Sequence, residues 1–352
     1  MKKALLMIAV VLGCMTAFAQ KMDKNEMKQL KAFLSQPAES ATTNAQALKI
    51  TDLNSPATWE GVTVANGHVT AIKWKDKKLA GDLDLSGFSE LATVDISRNK
   101  IANVSFAGDA ALTELTAYRN QIKSADLSGC SALTKVNLYR NRLSELSLQG
   151  TAMLENLNVS NNLFVELNVA NTTSLKTLNC QGNHLESLTV TGCTGLKNLY
   201  AGYNKLTSLN LSGVENLTNM NIDDNQIQTL LISGMPSLST LICSDNNMTT
   251  LGLRNCNALI DLVCSYNDLT TLNVESCPNL QYVDCSYNDL TQLTLSNQTF
   301  LQRLLCNNNQ LQMLDVSFDQ ALTYINCRYN MITDLRTIAC PNLRMIACQW
   351  NY

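Results

Sequence analysis

Apolar residues recur along most of this chain at a spacing that suits neither a helix nor a long strand. With Asn141 as origin they fall at −8, −5, −3, +2, +5 and +7: Leu133, Val136, Leu138, Leu143, Leu146 and Leu148. The −5 and −3 positions alternate with mostly polar residues at −6, −4 and −2, and period two over a short run predicts a strand with one buried face. The frame returns every 21 residues on Asn99, Asn120, Asn141, Asn162, Asn183, Asn204, Asn225, Asn246, Asn267, Asn288, Asn309, Asn330 and Asn351, without insertion or deletion. A fixed short period predicts a solenoid, because such coils bury their apolar faces only by stacking on one another. At about 4.8 Å between neighbouring strands, thirteen coils predict a parallel sheet about 60 Å long.

The origin asparagine has a structural task. Where the chain leaves the strand, backbone groups would be buried without partners, at roughly 1–3 kcal/mol each. A carboxamide offers one acceptor oxygen and two donor hydrogens, enough to bridge its own turn and the adjacent coil. The column is therefore read as a turn ladder, not as a set of ligands.

Cysteines follow the same frame. Seven lie at −3 (Cys180, Cys243, Cys264, Cys285, Cys306, Cys327, Cys348) and five at +10 (Cys130, Cys193, Cys256, Cys277, Cys340). Cysteine behaves there as a small hydrophobe, since Leu, Ile, Val or Ala fills the −3 slot elsewhere. Inward neighbours one strand apart exceed the roughly 3.8 Å between Cβ atoms that a disulfide needs, so a ladder of free thiols is expected. No CxxC pair or Cys/His cluster suggests zinc, and no cofactor is implied.

The frame LxxLxLxxNxL, with a second LxL or LxV at +5 and +7 and Cys often replacing Leu at −3, resembles the leucine-rich repeat signature. In its 21-residue, cysteine-ladder form it is similar to the repeats of the internalin J class. The resemblance covers residues 69–352. It implies a right-handed leucine-rich repeat solenoid of about 13–14 coils whose concave parallel sheet binds macromolecules. With 21 residues per coil the return side has no room for a proper helix, and short extended or 3₁₀ segments are expected there.

The ends differ in texture. Residues 1–19 read as a signal peptide: Lys2 and Lys3, the apolar run Ala4 to Gly13, then Ala17-Phe18-Ala19. Val11-Leu12-Gly13-Cys14 is an imperfect lipobox, so lipid attachment at Cys14 is the alternative, and no stretch is long enough for a transmembrane segment. The protein is accordingly expected to be exported: secreted, periplasmic or at the cell surface. Residues 20–68 read as an N-terminal cap. Asp23 and Glu26 resemble a capping box, Met27, Leu30, Phe33 and Leu34 form a helical stripe ending before Pro37, and Asn66-Gly67 marks a hairpin. Val69, Ile72, Trp74, Leu79, Leu83 and Leu85 form an imperfect first coil. The final coil would leave a strand edge open to pairing, so a homodimer through that edge is a further expectation.

Catalysis has little support. The two histidines, His68 and His184, are far apart and neither has a nucleophile with an orienting group nearby. No enzyme activity is predicted, and a net charge of −3 argues against nucleic acid. Taking −6, −4, −2 and −1 as the exposed face, nine of ten tyrosines fall there: Tyr118, Tyr139, Tyr200, Tyr203, Tyr266, Tyr282, Tyr287, Tyr324 and Tyr329, with Trp350 following. Tyrosine combines large contact area with a polar tip, which suits interfaces. Arg98, Arg119 and Arg140 stack at −1 in successive coils, and Asp223, Asp224, Asp245, Asp261 and Asp284 zone the middle. These residues predict a protein partner on the concave sheet. A glycan stacked along Tyr266, Tyr287, Tyr329 and Trp350 is the alternative.

Overall fold

The computed structural model describes residues 22–295 and 298–352. The signal-peptide reading of residues 1–19 and the lipid attachment at Cys14 lie outside the described residues. Across the repeats each coil contributes a short strand at −6 to −4, as in Lys135–Asn137, Asn156–Asn158 and Thr177–Asn179. These pair in parallel and in register, Val136 against Leu157 against Leu178, so identical columns stack from coil to coil. The result is one fifteen-stranded sheet. Backbone bonding continues past the strand: the Leu138 amide donates to the Asn158 carbonyl and the Arg140 amide to that of Ser160.

One hydrophobic core runs the length of the rod. Around Asn162 it takes Leu154, Leu157, Val159, Phe164, Leu167 and Val169, all buried. Asn162 is buried with them. Its Nδ2 donates to the Val159 carbonyl of its own turn at 2.9 Å and to the Leu138 carbonyl of the preceding coil at 3.0 Å. Its Oδ1 accepts from the Leu143 amide at 3.0 Å. The same three partners recur down the column to Asn330, which is why Asn and not Asp recurs there.

On the return side the chain forms short strands more often than the sequence led us to expect. Ala80–Asp84, Lys100–Ser105, Ser124–Asp126 and Glu145–Ser147 make a four-stranded parallel sheet, and four two-stranded pairs succeed it along the rod. The only 3₁₀ turn among the described residues is Pro56–Thr58, outside the repeats. Register forces this outcome, because extended segments held one coil apart find each other's backbone groups. Glycine then turns the chain at +9, as at Gly129 (φ 77°), whose added Cβ would meet the Gly108 backbone at 3.3 Å.

The +10 cysteines do more than fill space. The thiols of Cys130, Cys193 and Cys340 each donate to a carbonyl 24 residues back, at 3.0 Å. Gln298 does the same with its Nε2 toward the Val274 carbonyl. At these four coils +10 thus carries a donor to the preceding coil, whereas Cys256 reaches the Arg254 carbonyl and Val214 and Met235 fill the slot as hydrophobes. All twelve described cysteines are free. Burial pushes the Cys180 thiol up to about 12 and those of Cys264, Cys285 and Cys306 well above the usual range.

Helix α1 (Lys24–Leu34) covers the first coil, with Leu30, Phe33 and Leu34 buried. Phe33 stacks on Trp74 at 5.7 Å. Asp23 caps the helix through the amides of Asn25 and Glu26, but the reciprocal half of a capping box is missing. The buried Glu26 carboxylate instead accepts from the Val69 amide at 2.8 Å and meets His68 Nδ1 at 2.9 Å. It therefore pins the helix to the hairpin of β1 (Val62–Ala65) and β2 (His68–Lys73). A short helix, α2 (Asn44–Ala47), which the polar run around it had concealed, supplies Asn44. Its carboxamide bridges Phe33 to both backbone groups of Ala80.

Candidate interaction surface

The exposed side of the long sheet has two parts, a floor and a rim. The floor consists of −6 and −4 side chains. Tyr200 stands there at −4, and Tyr282 and Tyr324 at −6, all half-buried. Arg303 lies over the Tyr324 ring at 5.3 Å from its centroid. Tyr118 and Tyr139 come just after the strand at −2 and are also half-buried, with Lys75 over the first ring and Arg140 over the second.

The −1 residues are placed differently from the sheet positions with which the sequence grouped them. Every one from Arg98 to Trp350 has a positive φ, between 48° and 66°, and lies in the turn just past the strand. They line one rim of the sheet. Backbone bonding over-determines this conformation up to Tyr329, since each of these −1 amides donates to the −2 carbonyl of the next coil: Arg98 to Tyr118, Arg119 to Tyr139, Tyr266 to Ser286, Tyr287 to Asn307. The left-handed region suits Gly, Asn and Asp, and costs other residues about 1–2 kcal/mol. Asn161, Gly182, Asp224, Asp245 and Asn308 fit it easily, whereas Arg98, Arg119, Arg140, Tyr203, Tyr266, Tyr287, Tyr329 and Trp350 do not. Burial does not offset this, because all eight are exposed, Trp350 to 71%.

The rim groups these side chains into zones. Tyr266 and Tyr287 stack at 4.3 Å with planes 8° apart, and Tyr329 and Trp350 at 5.8 Å and 7°. Asn308 separates the two pairs, and Asp224 and Asp245 separate Tyr203 from them. Asp223 is half-buried beside Tyr203 with Oδ1 unpartnered; burial raises its carboxyl, and the charge of Asp223 raises the Tyr203 phenol in turn. Arg98 reaches Asp76 at 3.9 Å. No described carboxylate lies within 4.0 Å of Arg119 or Arg140.

An asparagine patch on the floor was not singled out from the sequence. Asn137, Asn158 and Asn179 fill −4 in three successive coils and, with Glu114, Lys135 and Tyr200, line a floor cavity of about 330 Å³. Each Oδ1 accepts from the −2 amide of its own coil, and the Nδ2 groups have no partner among the described residues. Polar residues had been expected at −4, and the stacked column itself was the available signal. Among the described residues no three metal-ligating side chains converge, and no helix is long and apolar enough to cross a membrane.

No family model and no curated protein matches the chain by sequence. Solved structures do. The functional domain of InlJ from Listeria monocytogenes, which includes a cysteine ladder, is 26% identical over 74% of this chain and 54% of its own, with a TM-score of 0.53. YopM from Yersinia enterocolitica WA-314 is 24% identical over 77% of this chain and 69% of its own, at 0.61. The Leptospira interrogans leucine-rich repeat protein LIC12759 is 22% identical over 73% and 86%, at 0.53. By fold the chain is a leucine-rich repeat solenoid. More particularly, its 21-residue coils and many buried cysteines make it similar to the bacterial proteins of this kind.

Proposed function

We propose that this is an exported, non-enzymatic recognition protein that binds a protein partner across the floor and rim of its long sheet. The left-handed rim carries the reading. At eight of thirteen −1 positions the chain places Arg, Tyr or Trp where Gly, Asn or Asp would cost less. Backbone strain at exposed, interface-prone side chains is retained where those side chains have a task. Burial gives them none, and within the chain only the stacked pairs Tyr266–Tyr287 and Tyr329–Trp350 return part of the cost. Export rests on the N-terminal sequence, and the absence of catalysis on the lack of any acid, base and nucleophile set.

The test is capture from surface extracts by the mature protein and by a variant with Tyr203, Tyr266, Tyr287 and Tyr329 changed to Asn. Asparagine suits the left-handed turn, so the fold is retained, and circular dichroism checks this. A protein captured by the parent and lost by the variant supports the reading. Equal capture by both would sink it. Retention of polysaccharide alone would assign the aromatic rim to sugar rings instead.

A further inference from the structure

The N-terminal third of the rim differs from the rest in its charge. Arg98, Arg119 and Arg140 occupy −1 in three successive coils, all exposed and all left-handed, with φ of 60°, 55° and 54°. Their amides are held to the next coil at 2.8, 2.8 and 3.0 Å, so the three Cα atoms repeat at about the strand spacing of 4.8 Å. Three like charges at that spacing repel one another. Intramolecular relief is slight: Asp76 touches only Arg98, at 3.9 Å, and the Asp95 carboxylate is engaged by Ser97. Lys75 adds a fourth positive charge beside Tyr118. The array combines backbone strain with charge repulsion, and within the described residues only Asp76 beside Arg98 and the Tyr139 ring under Arg140 offset part of it.

We propose that Arg98, Arg119 and Arg140 dock an extended, carboxylate-bearing peptide segment of the protein partner; this rests on reading the rim as a recognition surface. A planar guanidinium fork matches a carboxylate with two parallel hydrogen bonds. An extended peptide presents alternate side chains on one face about 6.8 Å apart, within reach of neighbouring long arginines. Tyr118 and Tyr139 lie alongside as half-buried rings against which its backbone packs. The same rim also sets direction. Asp224 and Asp245 lie beyond Tyr203, so the acidic stretch is confined to the first three coils, and the part of the peptide nearer the aromatic pairs is neutral or basic. A partner of this kind is attracted at the arginines and repelled at the aspartates, which fixes its polarity along the sheet.

The probes are a fluorescein-labelled glutamate decapeptide, the matching glutamine decapeptide and heparin, titrated by anisotropy against the mature protein. The glutamate peptide is expected to bind, with affinity falling as salt rises. Arg119→Asn/Arg140→Asn is expected to weaken it about tenfold, while Arg254→Asn, which removes an exposed charge on the return side, leaves it unchanged. Asparagine is at home at −1, so loss of binding by the arginine variant reports the charges and not the fold. Equal binding of the glutamine peptide, retention by the arginine variant, or binding of heparin without the glutamate peptide would each overturn the proposal. Failure of the peptide while surface-extract capture still depends on the tyrosines would remove this inference and leave the recognition reading standing.

Discussion

The amide of Phe88 donates to Asp109 Oδ1 at 2.8 Å, while Oδ2 of the same carboxyl is buried without a partner. Asp109 stands at +10, where Cys130, Cys193, Gln298 and Cys340 all act as donors to a carbonyl 24 residues back. For Asp109 that carbonyl belongs to Leu85. A carboxylate cannot donate, so the site favours the protonated acid, and burial pushes both Asp109 and its counterpart Asp319 up to about 7.

Stability should therefore depend on pH. An aspartate raised from an unfolded value near 3.9 binds its proton more tightly when folded, so it stabilises the fold in acid and that contribution is lost as pH rises toward 7. Between pH 5 and pH 8 the loss is about 2–3 kcal/mol for each aspartate. Asp109→Asn replaces the proton with a permanent donor. Urea denaturation is expected to show the variant close to the parent at pH 5 and more stable at pH 8. A variant no more stable than the parent at pH 8 would refute the protonated assignment.

The rim predicts an unusual response to truncation. Arg119 and Tyr203 have φ of 55° and 56°, and neither ring nor guanidinium is stacked on a neighbour. Replacing either with Gly removes the Cβ clash at some cost in unfolded-chain entropy, for a net gain of about 0.5–1 kcal/mol. Alanine keeps the Cβ and brings no gain. Thermal or urea unfolding of the Gly and Ala variants checks the ordering, and equal effects of Gly and Ala would remove the strain on which the recognition reading depends.

At Asn162 the carboxamide satisfies the carbonyls of Leu138 and Val159 and the amide of Leu143, all inside the rod. Asn162→Ala leaves the Leu143 amide buried without a partner, while the Leu138 and Val159 carbonyls each lose one of two donors and keep the other, from Asn141 and Asn183. For one orphaned buried amide the expected loss is roughly 1–3 kcal/mol. Asn162→Asp keeps the acceptor but gives up both donors and buries a charge, so it is expected to destabilise more at pH 8 than at pH 4. Denaturation at the two pH values measures this. Hydrogen exchange should localise the opening to the coils on either side.

Much of the architecture was legible because stacking makes each column a repeated experiment. The spacing of Leu133, Val136 and Leu138 announced both the strand and its buried face, and the asparagine column announced its ladder. Conformation at −1 was less visible. Tyr and Trp are common on strands, so the column suggested the sheet, and only the Asn, Asp and Gly residues sharing it hinted at a left-handed turn. The donor role at +10 was concealed because cysteine, the commonest residue there, passes for a hydrophobe. Glu26 looked like half of a capping box because the sequence does not show that the Val69 amide, far along the chain, would compete for its carboxylate.

The two cysteine columns should therefore respond to the same substitutions in opposite order. Cys264, at −3, is fully buried among apolar side chains and donates no hydrogen bond. Serine there buries a hydroxyl without a partner, at roughly 1–3 kcal/mol, whereas alanine loses only a small volume. Cys130, at +10, donates to the Phe106 carbonyl at 3.0 Å. Serine preserves that donor, and alanine abandons the carbonyl at about 1 kcal/mol or more. Urea denaturation is thus expected to rank Ala above Ser in stability at 264 and Ser above Ala at 130. The same ranking at both sites would mean that the +10 thiols are packing groups after all.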